Sequence, residues 1–224
     1  MRFIKVQLVV AICFAPAIAS AVCPTPGTNV GWSFGLPVFY NWANSNGPAA
    51  YTNLGVPNLG IQSPIHDAFA AWSNANESQN PSNVTFYHST SGAIRIYAVR
   101  VNFPSQPAMG DPGQAARYTA AWWAGTNILA SFDVTLYIGA TYYLNGEVPP
   151  FAPVYDQGAA NYHTFIKKVM LHEIGHSMYL NDQPGPACGG QVAGQSVMNG
   201  ACGTNDVANF LPTSVQACDN AAIP

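Results

Sequence analysis

Residues 161–182 constrain this chain more than any other stretch, because they combine a helical pattern with closely spaced histidines. Apolar side chains recur every three or four positions, and neither Pro nor Gly interrupts residues 162–174. His172, Glu173 and His176 follow in the arrangement H-E-x-x-H. Successive helical residues are about 100° apart, so the two histidines lie roughly 40° apart on one face. The segment therefore predicts a helix whose two imidazoles can reach one metal ion.

This spacing is typical of catalytic zinc sites. Neutral imidazoles suit Zn²⁺, and a catalytic site leaves its fourth position to a water molecule whose pKa falls to about 7. Glu173, next to the first histidine, is then the candidate general base. The alternative is a buried helix in which His172 and His176 only satisfy hydrogen bonds of the core.

Elimination reduces the number of residues that could be the third metal ligand. No Glu or His follows His176, so the downstream carboxylates are those of Asp182, Asp206 and Asp219. Asp182 lies six residues after His176, about 240° around an ideal helix, and can face the same metal only if the helix stops and the chain turns back. The turn-forming residues 181–186 supply such a stop.

Residues 172–182, HEIGHSMYLND, resemble the extended motif of the metzincin clan of secreted zinc endopeptidases. The form that ends in Asp is found in snapalysin-like members, and the related matrixin-like members share the clan's overall pattern. The resemblance implies a zinc metalloendopeptidase with one catalytic Zn²⁺ bound by His172, His176 and Asp182. It also implies that Glu173 acts as the general base.

A second motif, QSVMN at residues 195–199, resembles the Met-turn, which places a methionine beneath the metal in this clan. One position departs from the clan, because Tyr179 stands where a Gly is usual. Gly there adopts a left-handed conformation as the chain leaves the helix. Either Tyr179 is strained, or the turn shifts to Asn181, which tolerates that conformation better.

The remaining patterns predict an α+β fold. A helix is expected over residues 61–75, after an extended lead-in over residues 23–36. Five strands are expected at residues 37–42, 83–88, 93–101, 117–123 and 132–138.

This order of elements resembles the metzincin-type zincin fold. The fold implies a twisted five-stranded mixed sheet with two main helices, and an active-site helix followed by a small irregular C-terminal subdomain. The upper subdomain would cover residues 37–176 and the lower one residues 177–224. The resemblance also implies that residues 117–123 form the antiparallel edge strand that pairs with an extended peptide substrate.

The N-terminus predicts export. Residues 1–21 combine Arg2 and Lys5 with an apolar run over residues 6–14 and small residues before a cleavage point, as in a secretory signal peptide. The apolar run is too short to span a bilayer. We expect residues 22–224 to form one secreted, extracellular domain with no membrane partner.

The composition limits the kinds of binding partner to expect. Without the signal peptide, five basic residues stand against ten acidic ones, a net charge of about −5, which makes nucleic acid an unsuitable partner. A peptide or protein substrate and a monomeric state are expected. A structural Ca²⁺ is possible, but no sequence feature supports it.

Four cysteines remain after removal of the signal peptide, which predicts two disulfides in an exported chain. Three pairings are possible, and the sequence does not choose among them. Our working hypothesis pairs Cys188 with Cys202, and Cys23 with Cys218.

Two alternatives stay open. Residues 203–206, GTND, resemble the G-T-x-x-D element of aspzincin proteases, in which Asp206 would be the third ligand. The chain can also be a secreted binding or adhesion module that keeps a protease-like fold without turnover. Tyr179 favours that second alternative, whereas the presence of Glu173 argues against it.

Overall fold

The computed structural model describes residues 26–44, 52–79, 84–100, 116–138, 159–182, 196–198 and 211–223. The predicted signal peptide (residues 1–21) and Asp206 lie outside these ranges. Cys218 is disulfide-bonded. Cys23, Cys188 and Cys202 are outside the described residues, so the pairing of the cysteines stays a prediction.

The described residues form an α+β fold on a mixed sheet, as predicted. In chain order the elements are β1 (Pro26–Gly31), β2 (Pro37–Trp42), β3 (Thr52–Asn53), a 3₁₀ turn (Val56–Leu59), α1 (Gln62–Gln79), β4 (Thr85–His88), β5 (Ile94–Arg100), β6 (Ala116–Trp122), β7 (Leu129–Ile138), α2 (Ala159–His176), β8 (Met178–Leu180) and α3 (Ala217–Ala221).

The main sheet has the strand order β4-β2-β5-β7-β6, and the short β3 pairs with the end of β5. Strands β4, β2, β5 and β7 are parallel, whereas β6 runs antiparallel to β7 at the end of the order. The five predicted strands are therefore all present in one mixed sheet. The additional strand, β3, has two residues, too few to produce a recognisable alternation.

Both long helices lie on the same face of the sheet. The strand register aligns one residue from each of four strands: Tyr40, Ile94, Phe132 and Ala120. Paired residues point to the same face, and so does Tyr118, two positions before Ala120. Tyr40 stacks on Phe69 of α1, and Tyr118 packs on His176 of α2.

Helix α1 fixes the position of α2. The ring of Trp72 is fully buried, and its Nε1 donates a hydrogen bond to the carbonyl oxygen of Leu171 at 2.9 Å. Leu171 and Ile174 of α2 are also buried, and each such aliphatic side chain contributes about 1.5–3 kcal/mol. The core therefore sets the rotation of the helix that carries the histidines.

A second, two-stranded sheet joins the N-terminal strand to the end of α2. Strand β1 pairs antiparallel with β8, with Gly31 opposite Met178 and Pro26 opposite Leu180. The predicted extended lead-in is therefore in part a strand. Among the described helices, none is both long enough and apolar enough to cross a lipid bilayer.

Candidate metal centre

Helix α2 presents His172 and His176 on one side. Nδ1 of His172 lies 2.8 Å from the carbonyl oxygen of Val197, and Nδ1 of His176 lies 3.0 Å from that of Leu180. A carbonyl oxygen only accepts hydrogen bonds, so each Nδ1 carries the proton and donates it. In the neutral form of each ring, Nε2 then keeps its lone pair for a cation, which is the usual arrangement of metal-binding histidines.

Asp182 returns to these histidines because α2 ends at His176 and the chain reverses through β8. Its Oδ1 lies 3.1 Å from Nε2 of His172 and 3.6 Å from Nε2 of His176. The three potential ligand atoms all lie within 4.8 Å of one another. The chain reversal that Asp182 needs in order to face the two histidines is therefore observed.

This donor set fits Zn²⁺. Zinc–ligand bonds of about 2.0–2.1 Å in a tetrahedral site place the ligand atoms about 3.3–3.4 Å apart. The separations of 3.1 Å and 3.6 Å from Asp182 bracket that value. The side chains of His172 and His176 are 15% and 7% exposed, against 62% for Asp182, so the site opens to solvent on the carboxylate side.

The electrostatics favour positive charge at the same place. Burial lowers the pKa of His172, but the hydrogen bond to Asp182 and the charge of Glu173 outweigh it and raise that pKa to about 9. Burial and the charge of His172 lower the pKa of His176 to about 4. Burial acts to raise the pKa of Asp182, yet the hydrogen bond from His172 holds it below its ordinary value. The group therefore holds one positive charge, on His172 beside the Asp182 carboxylate, while the ring of His176 stays neutral.

Glu173 lies beside these ligands and is buried, with 7% of its surface exposed. Burial raises its pKa to about 7; the charge of His172 opposes this shift, and Asp182 adds to it. A carboxyl group with a pKa near the working pH can accept a proton and later release it. Glu173 thus has the proton affinity of a general acid–base group.

Residues 196–198 lie against α2 and are fully buried. A Cβ at Gly175 would lie 2.3 Å from Sδ of Met198, so only glycine admits this close approach. The same segment supplies the carbonyl of Val197 that orients His172. Met198 therefore packs directly behind the helical turn that separates the two histidines.

Asp219 holds this segment in place and is not part of the ligand group. Its carboxylate, which is fully buried, accepts hydrogen bonds from the hydroxyl of Ser196 and from the backbone N–H groups of Val197 and Gln216. Burial raises the pKa of Asp219, although these hydrogen bonds lower it. Asp219 thus fixes the carbonyl that orients His172, a role that no spacing in the sequence indicates.

Tyr179 adopts the left-handed conformation, with φ at 69°. Of the two outcomes that the sequence left open, the turn stays at Tyr179 and does not shift to Asn181. This conformation costs an L-residue about 1–2 kcal/mol. Two contacts offset the cost: the Tyr179 hydroxyl donates to the carbonyl oxygen of Trp32 at 3.3 Å, and the ring packs edge-on against Phe34, with centroids 5.6 Å apart.

Tyr118 of β6 is a further residue at the site that the sequence did not single out. Its ring lies 4.5 Å from that of His176 and stacks on Phe132. Burial raises the pKa of its phenol, and the charges of Glu173 and Asp182 raise it further. The edge strand was predicted, but strand alternation does not reveal which residue lies opposite a helix.

Comparison of the chain with models of known protein families finds none that matches, and comparison with curated proteins finds no match. The geometry of His172, Glu173, His176 and Asp182 is therefore the basis on which a function can be assigned.

Proposed function

We propose that this chain is a secreted zinc endopeptidase of metzincin type, in which His172, His176 and Asp182 bind one Zn²⁺. The observation that carries the proposal is the convergence of both Nε2 atoms on Oδ1 of Asp182, beside the buried Glu173. Three protein ligands are typical of catalytic zinc, whereas structural zinc usually has four.

In this proposal Glu173 moves the proton. The chemistry that a bound Zn²⁺ supplies is polarisation of the scissile carbonyl and a lowered pKa of water. Glu173 accepts a proton from the attacking water and passes it to the nitrogen of the leaving amine. The phenol of Tyr118, next to His176, donates a hydrogen bond to the carbonyl oxygen as negative charge develops there.

The open edge of β6 binds the substrate. This strand ends the order of the main sheet, and its outer edge pairs with no strand among the described residues. An extended peptide can add to such an edge through backbone hydrogen bonds. Since Tyr118 of β6 touches His176, a peptide bound there passes the metal centre.

Several features support the rest of the proposal. The packing of Met198 against Gly175 agrees with the expected Met-turn. The predicted signal peptide and the disulfide-bonded Cys218 agree with export to an oxidising compartment.

The test is hydrolysis of a quenched peptide library by the purified mature protein, with its zinc content counted. We expect one zinc per chain, cleavage that stops on chelation, and recovery when zinc is restored. A protein that binds one zinc and cuts no peptide would favour the binding-module alternative.

A separate measurement distinguishes Asp182 from Asp206 as the third ligand. We expect Asp182→Ala to lose zinc and Asp206→Ala to keep it. The reverse result would favour the aspzincin-like arrangement, in which Asp206 binds the metal.

A further inference from the structure

The turn that delivers Asp182 has an unusual support. Among the described residues, Tyr179 is the only one other than glycine with a positive φ. Gly is the residue that adopts this conformation without strain. Something outside the turn must therefore hold Tyr179 in place.

Gly31 of β1 provides that support. A Cβ at Gly31 would lie 2.1 Å from Cε2 and 2.2 Å from Cδ2 of Tyr179, so the ring rests directly on the backbone of Gly31. Gly31 is itself anchored, because its N–H donates to the carbonyl oxygen of Asn127 at 3.1 Å and it stands opposite Met178 in the β1–β8 pair.

The turn at Tyr179 controls the direction of two ligands. The next residue, Leu180, supplies the carbonyl oxygen to which Nδ1 of His176 donates. Asp182 follows two residues later and reaches both histidines with Oδ1. A rotation of the backbone at Tyr179 would therefore move one ligand and misorient another.

We infer that Gly31 and Tyr179 act as a matched pair of positioning residues for the metal centre. The missing side chain at position 31 makes the notch that the ring of Tyr179 occupies. The seated ring holds the left-handed turn and, through it, Asp182 and the carbonyl of Leu180. This inference rests on the metal site of the proposed function, but not on peptide cleavage.

A double-mutant cycle tests the pair through zinc affinity, measured by competition with a chelating indicator. Gly31→Ala places a methyl group in the space that the ring of Tyr179 occupies. This change should weaken zinc binding by about 10–100-fold, the usual effect of disturbing groups that orient ligands. In the Tyr179→Gly background the ring is absent, so adding Gly31→Ala should have little further effect. Residues that act through contact give such non-additive results.

Gly92→Ala is the matched control. A Cβ at Gly92 would lie 2.3 Å from the carbonyl oxygen of Phe39, a comparable clash where the loop before β5 meets β2 of the main sheet. We expect Gly92→Ala to lower the melting temperature of the metal-free protein without weakening zinc binding by the folded fraction. Equal losses of zinc affinity in Gly31→Ala and Gly92→Ala would overturn the inference.

Tyr179→Gly keeps the test valid if Gly31→Ala does not fold, because glycine adopts the left-handed turn without strain while it removes the ring that holds the turn. We expect a weaker zinc affinity and an altered visible spectrum of the Co²⁺-substituted protein, since the ligands are held less firmly. A Tyr179→Gly protein with the affinity and the Co²⁺ spectrum of the parent would overturn the inference. If the cycle behaves as expected but no peptide is cut, only the proposed function fails.

Discussion

Two places in this molecule hold a pair of histidines in edge-to-face contact. In α2, the rings of His172 and His176 have centroids 4.9 Å apart and planes at 89°. Where α1 meets β4, the rings of His66 and His88 have centroids 5.1 Å apart and planes at 83°. By ring geometry alone the two pairs are alike, so the difference in chemistry must come from their surroundings.

The first difference concerns the tautomer. The two histidines of α2 each donate from Nδ1 to a backbone carbonyl. His66 instead has Nδ1 2.5 Å from the hydroxyl of Tyr40, a group that both donates and accepts. Burial raises the pKa of Tyr40 to about 12, so its hydroxyl keeps the proton and can donate it. This hydroxyl can serve His66 as donor or acceptor, so the contact does not fix the tautomer of His66 as a backbone carbonyl does.

The second difference concerns the carboxylates. Glu173 follows His172 and is buried, whereas Asp67 follows His66 and is exposed. Asp182 completes a group of three potential metal ligands, and in the described part of the chain no such group includes His66 or His88. Closely placed histidines are therefore not sufficient for a site. Fixed tautomers, a third ligand and a buried carboxylate distinguish the centre in α2.

The largest effect is expected on the rate of peptide cleavage, when the carboxylates of Glu173 and Asp67 are replaced in turn. Glu173→Gln keeps the shape of the side chain but removes the proton acceptor, and should reduce peptide cleavage by roughly 10²–10⁴-fold with zinc still bound. Asp67→Asn, the equivalent change beside His66, should leave cleavage unchanged. Initial rates at matched zinc content measure both. A Glu173→Gln protein as active as the parent would contradict the assigned role.

Removing one histidine from each pair tests the comparison directly. His176→Ala should weaken zinc binding by more than about 100-fold, because it deletes a ligand and not only a group that orients one. His88→Ala should keep the zinc affinity of the parent, although the ring packs closely against Trp42. Competition with a chelating indicator gives both affinities. Equal losses would mean that the two pairs do not differ as described.

A smaller effect on zinc affinity is expected from the groups that contact or support Nδ1 of one histidine in each pair. Asp219→Asn leaves the donors of Ser196 and Val197 imperfectly paired, which should destabilise the metal-free protein by about 1–3 kcal/mol in urea unfolding. It should also weaken zinc binding by about 10-fold, since the carbonyl of Val197 loses its support. Tyr40→Phe removes the hydroxyl beside His66 and should not change zinc affinity. If both variants bind zinc as the parent does, Asp219 has no part in orienting His172.

Local regularities explain what could be predicted from sequence. The angle between His172 and His176 follows from helical spacing, and β2 was predicted with the bounds Pro37–Trp42 that it has. In both cases neighbouring residues determine the outcome. The six-residue spacing showed that Asp182 needs a chain reversal, but the helix ends at His176 and the left-handed residue is Tyr179, both before the predicted turn residues 181–186.

Contacts between distant parts of the chain explain what was not predicted. Asp219 reaches Ser196 across 23 positions, and the hydroxyl of Tyr179 reaches Trp32 across 147. Neither contact leaves a periodic pattern, and Gly31 looks like any glycine of an extended segment until the ring above it is known. The choice between strain at Tyr179 and a shifted turn likewise depended on packing that local propensity does not contain.

The smallest predicted effect concerns acid stability at the second histidine pair. Burial lowers the pKa of His66, the charge of His88 lowers it further, and Asp67 only partly opposes the shift. The folded-state pKa therefore lies below the unfolded value of about 6.5, so the folded state binds fewer protons. The contribution of His66 is fully present above that value and is lost as the pH falls through it toward the folded pKa.

His66→Gln should remove this part of the acid sensitivity while keeping a polar partner for the Tyr40 hydroxyl. Between about pH 8 and about pH 5, the melting temperature of the metal-free parent should fall more than that of the variant, by about 1–2 °C. In metal-free protein the histidines of α2 titrate alike in the parent and in the variant. Their contribution therefore cancels when the two changes in melting temperature are compared. Equal slopes would show that His66 titrates as it does in the unfolded chain, and that its contacts with Tyr40 and His88 do not oppose its protonation.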